Sequence, residues 1–140
     1  LIIAAAGTST SFTTFVGVVF PAWMSETTAV TGVKEGTPLV KCDVCHVGSK
    51  VEFVAPMQRR NSDMTSLTLA FYSNTPTTIG GSSAATATTA GIAALIWGTN
   101  PSQTRAQVLD KMRRAASLYP SKSGDFGYGF IDANKAVNSN

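Results

Sequence analysis

Two adjacent serines at the start of an alanine-rich helix are the residues of this sequence best placed to do chemistry. They lie in the stretch GGSSAATATTAGIAAL, residues 80–95. A serine hydroxyl at a helix N-terminus is close to the positive end of the helix dipole and to unpaired main-chain N–H groups, which stabilise an oxyanion as it forms. The same position also suits a simple helix cap. Taken alone, Ser82 and Ser83 therefore have two interpretations, a cap or a nucleophile.

A second motif, KCDVCHVG, places Cys42, Cys45 and His46 at C-x-x-C-H spacing. This spacing attaches a c-type haem through two thioethers and an axial histidine. We favour a short disulfide between Cys42 and Cys45 in a secreted or otherwise extracytoplasmic protein, with free thiols or a metal site as further alternatives. Two cysteines and His46 are too few for a complete four-ligand zinc site. We therefore expect no metal and no cofactor at this motif, and a haem only as the less favoured alternative.

The elements that must position these residues alternate between strand and helix patterns. The chain begins with LIIAAAG, a continuous apolar run typical of a strand buried on both faces of a parallel sheet. TTAVTGV, KVEFVAP and SLTLAFYS follow as further predicted strands, the third of the four ending at Pro56. Before TTAVTGV, the aromatic stretch SFTTFVGVVFPAW predicts a tight turn or a cis bond at Pro21.

The C-terminal part predicts two helices and a short strand. Thr104 and Gln107 match a capping box, and apolar residues then recur at helical spacing through TRAQVLDKMRRAAS. FID predicts a strand, and Asp132 is placed to cap a final ANKAV helix. The whole pattern is that of one α/β unit.

Composition excludes several classes of function. The chain has 140 residues, 44% of them apolar, and a net charge of +3 carried by scattered basic residues. We expect no nucleic-acid binding, because the Lys111, Arg113, Arg114 group fits the solvated face of a helix. We expect no membrane span, because no apolar run approaches the roughly 20 residues that one requires.

The motifs GGSSAATATTAGIAALIW, LIIAAAG, FPAW and GYGFIDANKAV together resemble the subtilisin-like serine proteases, in the correct order along most of the chain. The match is poorest over residues 34–79. The resemblance implies a three-layer α/β domain with a mainly parallel sheet and a buried central helix after the serine. It implies that residues 1–140 are the C-terminal part of a single catalytic domain, and we expect LIIAAAG to be a strand cut from a longer chain.

The resemblance also implies site residues. Gly81, Ser82 and Ser83 fall on the family's Gly-Thr-Ser turn, which makes Ser83 the expected nucleophile. Thr8 stands where the family has an asparagine that donates to the oxyanion, and a threonine hydroxyl has a single proton to donate. The expected substrate-binding residues are Ala5, Ala6, Gly7, Gly81 and Ser82.

The resemblance leaves the general base outside this chain. In the family the catalytic Asp and His precede the strand with which this sequence begins, and a serine needs both. We therefore expect an N-terminal companion segment that supplies them, with this chain alone neither stably folded nor active. His46, the only histidine, is not expected to replace the missing base.

The predicted function is thus serine endopeptidase action on a peptide or protein substrate, with calcium possible by family resemblance. The alternative from another class is a non-catalytic relative that binds without cleaving, which the unusual Thr8 favours. In the fold, we expect Ile2 to Ala6 to be an interior strand and the helix after Ser83 to be nearly buried.

Overall fold

A parallel three-stranded sheet forms the centre of the fold in the computed structural model, which describes residues 1–9, 15, 17–58, 68–72, 75–78 and 80–138. The strands are β1 (Ile2–Ala5), β2 (Thr27–Lys34) and β3 (Val51–Gln58), in the order β1-β2-β3. Strands β2 and β3 are buried along nearly their whole length, including the polar residues Thr28, Thr31 and Glu52. The α/β class and the parallel sheet are confirmed.

Two strands and three helices complete the described elements. Strands β4 (Thr68–Tyr72) and β5 (Thr75–Thr78) pair antiparallel, apart from the main sheet; Ser66, Leu67 and Ser73 of the predicted fourth strand lie outside the described residues. The helices are α1 (Gly81–Thr99), α2 (Arg105–Arg114) and α3 (Ala133–Asn138). No helix in the described part of the chain combines the length and hydropathy needed to cross a bilayer.

Helix α1 packs across all three strands of the parallel sheet and is the element that carries the serines. Its buried face repeats at helical spacing, and the core between α1, the sheet and α2 includes Val30, Phe53, Ala85, Ile96 and Met112. The opposite face of the sheet is covered by side chains from loops, including Leu39, Phe126 and Phe130. The sheet therefore holds the N-terminal end of α1 at the carboxyl ends of the strands, where Gly7 and Thr8 follow β1.

Two expectations about burial are wrong for this chain. Strand β1 pairs with β2 only, so it is an edge of the described sheet, and Ile2 is 57% exposed. One face of α1 is open to solvent rather than nearly buried, with Leu95 61% exposed. Alanine and threonine tolerate either environment, so the lack of charge in α1 did not require that both faces be covered.

Several local predictions hold. Phe20–Pro21 is a cis peptide, the capping box of Thr104 and Gln107 is present, and Asp132 Oδ1 accepts from the Lys135 N–H at 2.9 Å. The predicted end of β3 at Pro56 is wrong, because the strand continues to Gln58. The β2–β3 register shifts just beyond Val33, which pairs with Pro56, and such an irregularity lets a strand continue past a residue without an N–H. The predicted FID strand is reduced to isolated bridges at Phe130 and Ile131.

Candidate active site

The N-terminus of α1 positions both serines, and neither of them caps the helix. The N-cap is Gly80, which makes no side-chain hydrogen bond, and α1 begins at Gly81 with φ +72°. Ser82 and Ser83 thus lie in the first turn, where main-chain N–H groups have no carbonyl partner within the helix. Ser82 is buried and Ser83 is exposed. The cap interpretation does not describe these residues.

Thr8 contacts Ser82, the residue before the expected nucleophile. The two side-chain oxygens, Thr8 Oγ1 and Ser82 Oγ, are 2.9 Å apart, and the Ser82 N–H donates to Thr8 Oγ1 at 3.2 Å. Ser82 Oγ also accepts from the Gly7 N–H at 3.2 Å. These contacts join the end of β1 to the start of α1 across 74 residues of sequence.

Gly81 is required by this close approach. A Cβ added there would lie 2.8 Å from Thr8 Oγ1, and the positive φ is one that other residues rarely adopt. The predicted residues Gly7, Thr8, Gly81, Ser82 and Ser83 are therefore brought together at one end of α1. Within the described parts of the chain, the Ser83 hydroxyl has no hydrogen-bond partner.

The other predicted substrate-binding residues differ in their exposure. Ala5 is half-buried, whereas Ala6 is fully buried in the core beside Val33 and Val54. The main-chain N–H of Ala6 donates to Val30 and its carbonyl accepts from Val19. The side chain and main chain of Ala6 are thus both engaged within the fold, and the structure does not place Ala6 on a substrate-facing surface.

The predicted Cys42–Cys45 disulfide is present, and Asp43 and Val44 between the two cysteines are exposed. We call residues 42–46 the disulfide loop. Both cysteines are buried, and Cys45 pairs with Thr8 in an antiparallel bridge. The loop and the helix start both approach Gly32 of β2: a Cβ added there would meet Cys45 Sγ and, at 3.3 Å, the Gly81 carbonyl oxygen. Sequence reasoning missed this proximity, because no local signal relates residue 45 to residues 8 and 81.

His46 is buried beside Gly7 and is bonded through both ring nitrogens. Nδ1 is 2.8 Å from the Gly17 carbonyl oxygen and Nε2 is 3.0 Å from Ser9 Oγ. The imidazole is thus directed at these two groups rather than at Ser83. A haem at this motif would have to break the disulfide and the contact of whichever ring nitrogen bound the iron.

Charges near the site are few. Asp43, in the disulfide loop, pairs with Lys34 at 2.7 Å, and hydrogen bonding from Lys34 and then from Gln58 holds the pKa of that carboxyl below its usual value. Among the described residues, no three or more His, Cys, Asp or Glu side chains come close enough to hold a metal ion. The arrangement of hydroxyls and N–H groups at the start of α1 is suited to anionic oxygen rather than to a cation.

The comparisons with known proteins agree with this architecture. The model of the subtilase family of peptidases matches residues 1–129. A search of curated proteins gave no significant match. Among solved structures, MycP1 from Mycobacterium smegmatis superposes with a TM-score of 0.71 at 20% identity, covering 100% of this chain and 42% of that one.

Two further solved structures have the same fold. The subtilase cytotoxin SubAB structure gives a TM-score of 0.73 at 23% identity over 98% of this chain, and sphericase gives 0.70 at 24% over 94%. The chain spans 48% and 47% of their lengths, so it corresponds to less than half of each. The family match over residues 1–129, together with the serine turn at the start of α1, establishes that this chain belongs to the subtilase family.

Proposed function

We propose that this chain carries the nucleophile and oxyanion residues of a serine endopeptidase, with Ser83 as the nucleophile. The observation that carries the proposal is the arrangement at the start of α1: Ser83 is exposed in the first turn, while the neighbouring Ser82 is buried and bonded to Thr8. An attacking serine needs an accessible hydroxyl near groups that stabilise the oxyanion. Of the two serines, only Ser83 has that accessibility.

The hydrogen bonds around Thr8 support its role as an oxyanion donor. Thr8 Oγ1 accepts from the Ser82 N–H, and Ser82 Oγ accepts from the Gly7 N–H. One proton joins the two hydroxyls. When the Ser82 hydroxyl donates this hydrogen bond to Thr8 Oγ1, the Thr8 hydroxyl can donate its own proton to the substrate oxygen. Thr8 is exposed, so a substrate can reach it. Thr8 and the Ser83 main-chain N–H would then hold the developing charge together.

The Asp and His of the mechanism belong to a companion segment in this proposal. The single histidine of the chain is turned toward Ser9 and Gly17. In the reaction, a companion histidine takes the Ser83 proton as Ser83 Oγ attacks the scissile carbonyl, and returns it to the leaving amine. Water then cleaves the acyl-enzyme by the reverse route. Peptide or protein is the substrate class, and the disulfide favours an extracytoplasmic location.

An apolar surface supports the position of that companion. Within the described residues, the edge of β1 away from β2 pairs with no strand and lies beside the exposed face of α1. Between them is a groove of about 240 Å³ lined by Leu1, Ile3, Ala90, Ala93, Ala94 and Trp97. An uncovered strand edge next to apolar side chains invites pairing with another strand. A companion strand beside β1 would extend the sheet and cover this groove.

Two serine variants test the proposal in the protein that contains this chain together with its companion. Ser83→Ala should abolish hydrolysis of a peptide substrate, whereas Ser82→Ala should reduce kcat and leave measurable activity. Equal loss in both variants, or full activity in Ser83→Ala, would contradict the assignment. The non-catalytic alternative is favoured by Thr8, which stands where the family has an asparagine. It predicts no hydrolysis by the unmodified protein but retained binding of peptide.

A further inference from the structure

The disulfide loop forms hydrogen bonds with the main chain on both sides of Thr8. The Ser9 N–H donates to the Val44 carbonyl at 2.7 Å, and the His46 N–H donates to the Gly7 carbonyl at 3.0 Å. Thr8 lies between these two bonds and is the residue that pairs with Cys45. The position of the Thr8 backbone is therefore set by residues 44–46 as much as by β1.

The side chain of His46 adds a second set of restraints to the same segment. A carbonyl oxygen only accepts, so Nδ1 carries a proton and donates it to Gly17 O, and in the neutral ring Nε2 accepts from the Ser9 hydroxyl. His46 is 3% exposed, and its ring lies against Gly7, where an added Cβ would overlap the imidazole. His46 thus connects the residues on either side of Thr8 to the segment at Gly17.

The disulfide fixes the loop that presents His46. The Cys42 N–H donates to the Gly32 carbonyl at 3.1 Å, which anchors the loop to β2, and the Cys45 N–H donates to the Cys42 carbonyl at 3.1 Å. Only two residues separate the joined cysteines, so the disulfide closes a tight turn directly before His46. The hydrogen bond from Cys42 to Gly32 and the short span of the disulfide both restrain residues 44–46.

We propose that His46, held by the Cys42–Cys45 disulfide, is a positioning residue for Thr8. The inference rests on the proposed function, in which Thr8 donates to the oxyanion. A threonine hydroxyl is short and has one proton, so small movements of its backbone remove it from the substrate oxygen. A displacement of about 1 Å in a catalytic group can cost up to about 100-fold in rate. The loop supplies the rigidity that a single hydroxyl donor needs.

A double-variant cycle tests the proposal in the protein that contains this chain and its companion. His46→Ala should lower kcat about tenfold and change KM less than about twofold, because Thr8 is displaced while the rest of the site remains. In the Thr8→Val background the same substitution should change kcat less than about twofold, because the group that His46 positions is already absent. His46→Asn, which retains an N–H donor for the Gly17 carbonyl, should recover part of the loss.

Controls separate this role from general destabilisation. Val108→Ala removes buried apolar atoms from α2, remote in sequence from this loop, and should lower the unfolding temperature without changing kcat. If His46→Ala lowers kcat by the same factor with Thr8 intact and in the Thr8→Val background, or leaves kcat unchanged, the inference is overturned while the protease assignment stays intact. Absence of hydrolysis by the unmodified protein would overturn the proposed function and this inference with it.

Discussion

Replacement of Thr8 by valine tests the oxyanion role, because valine keeps the shape of threonine and removes its hydroxyl. In the structure the hydroxyl makes two contacts, accepting from the Ser82 N–H at 3.2 Å and bonding to Ser82 Oγ at 2.9 Å. Thr8 is exposed, so water can replace these bonds in part. A net cost of about 1 kcal/mol per hydrogen bond gives a loss of about 1–2 kcal/mol in the free energy of unfolding.

The expected loss in rate is larger than the loss in stability. Removal of one oxyanion donor costs about 100- to 1,000-fold in kcat, or roughly 2.7–4 kcal/mol of transition-state stabilisation. Thr8→Val should therefore lower kcat by about that factor with little change in KM. Thr8→Asn, which restores an amide donor, should retain or raise the rate.

The assay is steady-state hydrolysis of a chromogenic peptide, combined with thermal unfolding of each variant. Thr88→Val is the matched control, since it removes the same hydroxyl from an exposed position of α1, where Thr88 Oγ1 donates to the Ala84 carbonyl at 3.1 Å. It should leave kcat unchanged. An unchanged kcat in both Thr8→Val and Thr8→Asn would remove Thr8 from the mechanism.

Three further substitutions probe the site, the disulfide loop and an ion-pair network at the start of β3. Gly81→Ala should slow hydrolysis and lower the unfolding temperature, since its Cβ would crowd Thr8 at a φ of +72°; an unchanged crystal structure and rate would disprove this. Asp43→Asn should destabilise the protein by about 0.2–1 kcal/mol at neutral pH, because hydrogen bonding from Lys34 holds the pKa of Asp43 below its usual value. That difference should vanish in urea titrations as the pH falls through the folded-state pKa, where the carboxylate is protonated. Glu52→Gln should cost about 1–3 kcal/mol in chemical denaturation, because it removes a largely buried carboxylate that pairs with Arg113 and Lys122, while these two cations are each 38% exposed and remain solvated; a loss below about 0.5 kcal/mol would argue against that ion-pair network.

Local signals predicted the parts of the fold that depend on neighbours in sequence. The capping box of α2 and the cap of α3 each need residues only three apart, and both are present. Strands β2 and β3 were recognisable because β-branched and apolar residues are frequent in them. The end of β3 was not, because the effect of Pro56 depends on the register with Val33 in another strand.

The candidate site was also predictable only in the parts that short local motifs mark. The serine turn and the segment after β1 were identified from short motifs that resemble one family. The bond between Thr8 and Ser82, and the bridge between Thr8 and the disulfide loop, join residues that are distant in sequence. The resemblance implied that Thr8 lies near the serine turn, whereas no motif indicated its contacts with Ser82 and with the disulfide loop. The exposure of one face of α1 was also not predictable, because small residues are compatible with solvent and with a packed neighbour alike.

The central claim, that Ser83 is an activated nucleophile, is tested most directly by covalent labelling. The protein that contains this chain with its companion is treated with a fluorophosphonate, digested, and the modified residue is located by mass spectrometry. We predict a single adduct on Ser83, formed rapidly, and no adduct on this chain when residues 1–140 are expressed alone. An adduct on Ser82, or equally rapid labelling of Ser83 in the isolated chain, would contradict the claim.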